Sequence, residues 1–203
     1  MNQARPATPP VVPDARLPAL RAGDPAVLQE VLIELLPAVR AWMFRLLGAQ
    51  ADLDDAVQEA LAALARALPR FEGRAALATL AHTITVRTAY RFFGRAKDTP
   101  LELVPPPATE IDPESRAMAR EVLRRLYRGL RRLRDHRRVA FVLCAIEGLT
   151  PAEAAEIEGV SATAMRSRLM HARAELARRL RGDPYVAAVL GERAPAGKDA
   201  VRP

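Results

Sequence analysis

Apolar residues recur at helical spacing along most of the chain. Leu28, Val31, Leu32, Leu35, Val39, Trp42, Met43 and Leu46 form one stripe, and Leu53, Val57, Leu61, Leu64 and Leu68 form the next. Met118, Val122, Leu126, Leu130 and Leu133 make a third, and Met165, Leu169, Ala172 and Leu176 a fourth. No stretch alternates with period two. Val and Ile are sparse beside Ala, Leu and Arg, so the pattern predicts an all-α protein. Local signals punctuate the stripes. Asp24 caps a helix with Pro25 at its first position. Pro37 falls inside the first stripe and is expected to break it into two pieces. Gly48 ends that element, and Asp52 starts the next, with Asp54 and Asp55 in its first turn. Pro69 and Gly73 end it. A third helix is expected to about Phe93, a long one from Asp112 and Pro113 to about Arg134, and another from Asp135 to Gly148.

The densest punctuation lies between Leu149 and Arg173. Thr150 can cap a helix, Pro151 suits its first position, and Glu153 can close a capping box. Gly159 supplies a left-handed turn, Ser161 caps a second helix, and Val160 can staple against Met165. This is a helix-turn-helix signature. With Met165 on the buried face, Thr163, Ser167 and Met170 point away with Arg166 beside them, where they can reach base edges in a major groove. Arg168 and Arg173 flank that face and suit phosphate contacts.

Composition divides the chain. Residues 1–18 are rich in Pro and Ala and read as a disordered lead-in. Residues 19–97 form a first helical domain. Residues 98–115 hold five acidic residues, five prolines and no basic residue, and read as a linker. Residues 116–181 form a second domain, a winged-helix-like four-helix unit with sixteen arginines against seven acidic residues. Residues 182–203 form a tail. The formal net charge is +7 and the pI about 10.6, which favours a polyanionic partner, although the preference for Arg over Lys also fits a GC-rich genome. A lone cysteine, Cys144, in an apolar helix reads as a buried inert thiol. With no apolar run of membrane-spanning length and no secretory signal, the expected compartment is the cytoplasm.

Other clusters carry less chemistry. Asp52, Asp54, Asp55 and Glu59 read as a charged helix start rather than a metal site. Trp42, on the apolar stripe, reads as core. Arg87, Tyr90, Arg91, Phe92, Phe93, Arg95 and Lys97 interleave cations and aromatics, which suits either single-stranded nucleic acid or a helix end with its Phe in the core. His82, His136 and His171 are scattered and read as surface or helix-end residues. No catalytic constellation is present, so no enzymatic activity, metal or cofactor is expected.

A helical domain with DAVQEALAALARALPRF, a Pro-rich acidic linker, and a second domain ending LTPAEAAEIEGVSATAMRSRLMHARAEL together resemble the bacterial sigma factors of the sigma-70 family, in particular the extracytoplasmic-function group. The resemblance runs from about Asp24 to Leu180. It implies that Asp55, Gln58 and Glu59 dock on the clamp coiled coil of core RNA polymerase. It implies that the loop from Phe71 to Leu80 and the helix after it, with Phe71, Arg74, Arg87, Tyr90 and Arg91, capture a flipped base and open the minus-ten element. Thr163, Arg166, Ser167, Arg168, Met170 and Arg173 match the helix that reads the minus-thirty-five element. The linker matches a segment threaded toward the polymerase active site, and an anti-sigma factor is a further partner the family admits. The chain departs from the family where Trp-Leu is replaced by Leu80-Ala81, and where Ile-Ala-x-Asn is replaced by Ile84-Thr85-Val86-Arg87. Those departures favour polymerase docking and minus-thirty-five reading over strand opening. Two other readings compete: a stand-alone helix-turn-helix regulator, and a degenerate sigma-like protein that opens DNA weakly.

Overall fold

The computed structural model describes residues 14–48, 50–73, 76–93 and 113–180, with side chains from 121 onward in the last segment. The described residues contain helices and no strand. A 3-10 turn, Asp14–Arg16, leads into α1 (Leu17–Arg21), followed by α2 (Pro25–Leu47), α3 (Leu53–Ala67) and α4 (Leu77–Phe92). Then come α5 (Pro113–Leu130), α6 (Asp135–Phe141), a π-helical turn (Val142–Ile146), α7 (Pro151–Glu158) and α8 (Ala162–Arg179). The expected linker at 98–115 and tail at 182–203 lie outside the described residues, apart from 113–115, which open α5.

Two expectations about the first domain are corrected. Residues 14–18 belong to helix rather than to a disordered lead-in, because Leu20 anchors that turn in the core at 1% exposure. Pro37 does not divide the first stripe, since α2 runs unbroken through it. Pro37 and Ile33 both face solvent. Water can therefore satisfy the Ile33 carbonyl that would have accepted the missing amide, while Val31, Leu35, Val39 and Met43 hold the opposite face in the core. The N-terminus of α2 forms as its sequence dictates: Asp24 accepts from the amides of Ala26 (2.9 Å) and Val27 (3.3 Å).

The larger core draws on α1 to α4 and continues, through Val139, Ala140, Val142 and Leu143, into Ala154, Ala155, Ile157 and Met165. A smaller core joins Leu126, Tyr127, Leu130 and Leu133 to Phe141, Ala172 and Leu176, with Phe44 of α2 packed against it. The two helical units therefore share an apolar seam, which the sequence pattern does not announce. Trp42 is core as expected, but it stacks on His82 at 4.2 Å and 6°. His82, expected at the surface, is 6% exposed, and burial together with nearby Arg45 lowers its pKa to about 4. Cys144 is half-buried, and burial pushes its thiol up, away from reactivity.

Candidate nucleic-acid interface

The helix-turn-helix forms by the local chemistry its sequence encodes. The Thr150 hydroxyl accepts from the Glu153 amide (3.2 Å), and the Glu153 carboxylate accepts from the Thr150 amide (2.8 Å), closing a capping box. Gly159 ends α7 at φ 68°, a left-handed turn that costs glycine little. The Ser161 hydroxyl accepts from the Ala164 amide (3.1 Å) and starts α8. Met165, Ala172 and Leu176 are buried, and Leu169 is half-buried. This orientation leaves Thr163, Arg166, Ser167, Met170 and Arg173 exposed along the outer face. Met170 is 60% exposed, a large apolar group left in solvent. Arg166 and Arg173 make no ion pair among the described residues.

Arg168 departs from this set. It is half-buried and ion-paired through Nη1 to Glu158, whose side chain is 5% exposed. The same carboxylate accepts the Tyr90 hydroxyl of α4 (2.5 Å). Burial and the bond to Glu158 push the Tyr90 phenol far above its ordinary pKa, so it remains a donor. One carboxylate thus ties α4 to α8. Further polar contacts cross the same seam. Arg45 Nη1 donates to Glu147 (2.9 Å), whose side chain is 3% exposed and whose pKa is raised by burial, against the pull of Arg45. Arg138 Nη2 donates to the Leu47 carbonyl (3.0 Å), with its guanidinium 4.7 Å from the Phe93 ring centroid. Burial lowers the Arg138 pKa to about 10.

The first unit presents two faces. On α3, Asp55 and Gln58 are exposed and Glu59 is half-buried. Glu59 pairs with Arg91 of α4 at 2.8 Å. Arg87 is exposed and makes no ion pair among the described residues, whereas Phe92 and Phe93 lie in the core. Of the two readings of the cation-and-aromatic run, the core placement therefore holds for both phenylalanines. Phe71 is half-buried on the loop between α3 and α4; Arg74, Arg95 and Lys97 lie outside the described residues. At the departures from the family pattern, Ala81, Thr85 and Val86 are buried, and the Thr85 hydroxyl donates back to the Ala81 carbonyl (2.8 Å).

Sequence reasoning missed the acids and cations of the seam: Glu158, Glu147, Arg45 and Arg138. For Glu158 a signal existed. A carboxylate in the last turn of a helix opposes the helix dipole and usually signals a cationic partner elsewhere. Nothing local marks Glu147 or Arg138, because their hydrogen-bond partners lie 91 or more residues away in sequence.

Residues 32–99 match the family model for sigma-70 region 2, and residues 123–176 match that for sigma-70 region 4, together more than half of the chain. The chain is 34% identical over 132 residues to the ECF RNA polymerase sigma factor SigM of two Mycobacterium tuberculosis strains. That match covers 64% of this chain and 64% of the relative, just under two thirds of the relative's length. Among solved structures, CnrH in complex with the cytosolic domain of CnrY matches with a TM-score of 0.61 and 22% identity, covering 83% of this chain and 97% of that one. The sigma factor RpoE of Bartonella quintana, in complex with the anti-sigma factor NepR, matches with a TM-score of 0.59 and 24% identity, covering 76% and 97%. The structural likenesses establish a common fold, and the two region models occur in one chain in sequence order: the protein belongs to the sigma-70 family.

Proposed function

We propose that the chain is a sigma factor that binds core RNA polymerase and directs promoter-specific initiation, working in the cytoplasm and catalysing no reaction of its own. The observation that carries this reading is the free outer face of α8, set in the same molecule as an exposed acidic face on α3. Arg166 has the fork geometry for guanine, Thr163, Ser167 and Met170 supply shorter contacts, and Arg173 reaches phosphate. Asp55, Gln58 and Glu59 are the residues for the polymerase clamp. Phe71, Arg74, Arg87, Tyr90 and Arg91 are those for the minus-ten element. No helix among the described residues is long and apolar enough to cross a membrane, and no group of three or more potential metal ligands occurs among them.

The seam adds a condition. Tyr90 and Arg168 belong to opposite DNA readers, yet both are committed to Glu158. In this arrangement the two cannot reach separate promoter elements, so promoter binding requires α7 and α8 to part from α4. An anti-sigma factor is the natural competitor for that transition, as the two solved relatives carry such partners or a cytosolic domain in complex.

The test is reconstitution. Added to bacterial core polymerase, the protein should start transcription at discrete sites on genomic fragments. Specific duplex binding without any effect on core polymerase would favour the stand-alone regulator instead. Core binding without DNA opening would favour the weakly opening form. Glu59→Arg should weaken core binding about tenfold, by placing like charge where an acid docks, and leave binding of duplex DNA by α8 intact. Unchanged core affinity would remove Glu59 from the docking face.

A further inference from the structure

Helix α1 straddles the expected start of the first domain at residue 19 and carries none of the residues that the resemblance assigns to DNA, yet it is built against the loop after α3. Leu20 is buried beneath it, and Leu17 packs on the main core. Arg21, at its last position, points across to the loop after α3. Its Nε donates to the Phe71 carbonyl (3.3 Å) and its Nη2 to the Glu72 carbonyl (3.0 Å). A planar guanidinium can serve two successive carbonyls only while both face the same side, so these bonds select one loop shape. Leu17 closes the other end. Gly73 stands at φ +75°, and a Cβ there would come within 3.2 Å of Leu17 Cδ1, so side chain and loop backbone are in close register. Arg21, Pro69, Arg70 and Glu72 line an open cleft of about 640 Å³ beside the loop, with two cations on its rim.

We propose that Arg21 is a positioning residue that fixes the Phe71–Gly73 loop and thereby sets base preference at the single-stranded part of the promoter. This rests on the reading of that loop as the one that accepts a base. Arg21 does not itself specify the base. It holds the backbone that shapes the pocket, and α1 is the strut that carries it. Lost bonds to two exposed carbonyls are replaced by water, so the loop without Arg21 remains folded but samples more shapes. The expected consequence is weaker discrimination rather than a collapse of binding.

The experiment uses the full chain assembled with core polymerase. The holoenzyme selects from single-stranded DNA with a random core of about 16 nucleotides. The unaltered protein should enrich a particular base at one position. Arg21→Ala should cut that enrichment about fivefold, the scale of one net hydrogen bond. Enrichment at other positions, affinity for core polymerase and duplex preference by α8 should stay as they were. Arg21→Lys, which can serve one carbonyl but not both, should recover part of the loss. Equal weakening on every sequence, or unchanged preference in Arg21→Ala, would overturn the proposal. A flat selection by the unaltered protein would instead sink the base-accepting loop itself, and this inference with it.

Discussion

Helices α4 and α8 carry the two halves of the candidate DNA interface on opposite plans. Helix α8 buries a narrow stripe, Met165, Ala172 and Leu176, and leaves Arg166, Ser167, Met170 and Arg173 in water. Helix α4 buries eight of its sixteen residues, so little of its surface remains for a ligand. Its polar groups are also engaged: Tyr90 with Glu158, and Arg91 with Glu59. Arg87 is the cation of α4 that no acid among the described residues holds. The same residue types thus occupy different states. The outer face of α8 lies in solvent as folded, whereas Tyr90 and Arg91 of α4 are already held by acids of the fold.

The largest expected effect concerns what α4 buries. His82 is neutral in the fold, with a pKa of about 4 against 6.5 when free, lowered by burial and then by Arg45. Between those values the unfolded chain binds more protons than the folded one. The stability His82 contributes is therefore complete above pH 6.5 and lost as pH falls through 4, about 3 kcal/mol in all. Urea unfolding at pH 7 and at pH 4.5 measures it. His82→Leu should lose about 2 kcal/mol less over that interval than the unaltered protein. Equal losses would mean that His82 is not sealed against Trp42 in solution, and that α4 is more open than described.

What the sequence discloses follows the same division. The turn into α8 was legible because every determinant is local: Thr150, Glu153, Gly159 and Ser161 each act within four residues. From those caps the buried side of α8 follows by periodicity, and its outer face with it. Pro37 misled because packing on both sides of it outweighed one missing amide. His82 misled because a lone histidine carries no sign of the Trp42 ring, forty residues earlier, that covers it. The seam was illegible for a related reason. A buried Glu147 or Arg138 looks like a solvated charge until a partner far along the chain is placed beside it. Periodicity assigns faces to helices but does not say which helices meet.

Arg166→Ala should cost about 1–3 kcal/mol at one base pair of the preferred duplex and flatten preference there. Arg173→Ala should weaken all duplexes alike and lower the salt dependence by about one counterion. Binding isotherms on the preferred duplex and its single-base variants, each at several salt concentrations, separate the two. If both variants weakened every sequence equally, the division of α8 into a base-reading edge and a phosphate-reading flank would be wrong.

Glu158 is where the two plans meet, and its substitution gives the smallest effect with the sharpest sign. Glu158→Gln keeps an oxygen for the Tyr90 hydroxyl but removes the charge that holds Arg168. If the carboxylate withholds Arg168 from DNA, duplex affinity should rise about threefold to fivefold, and the salt dependence should steepen by roughly one phosphate contact. Tyr90→Phe breaks the other arm of the same contact without changing charge, so it should raise affinity less and leave the salt dependence alone. A fall in affinity for Glu158→Gln would reverse the argument. Glu158 would then be aiming Arg168 at the backbone rather than restraining it, and α8 would bind DNA with its seam to α4 intact.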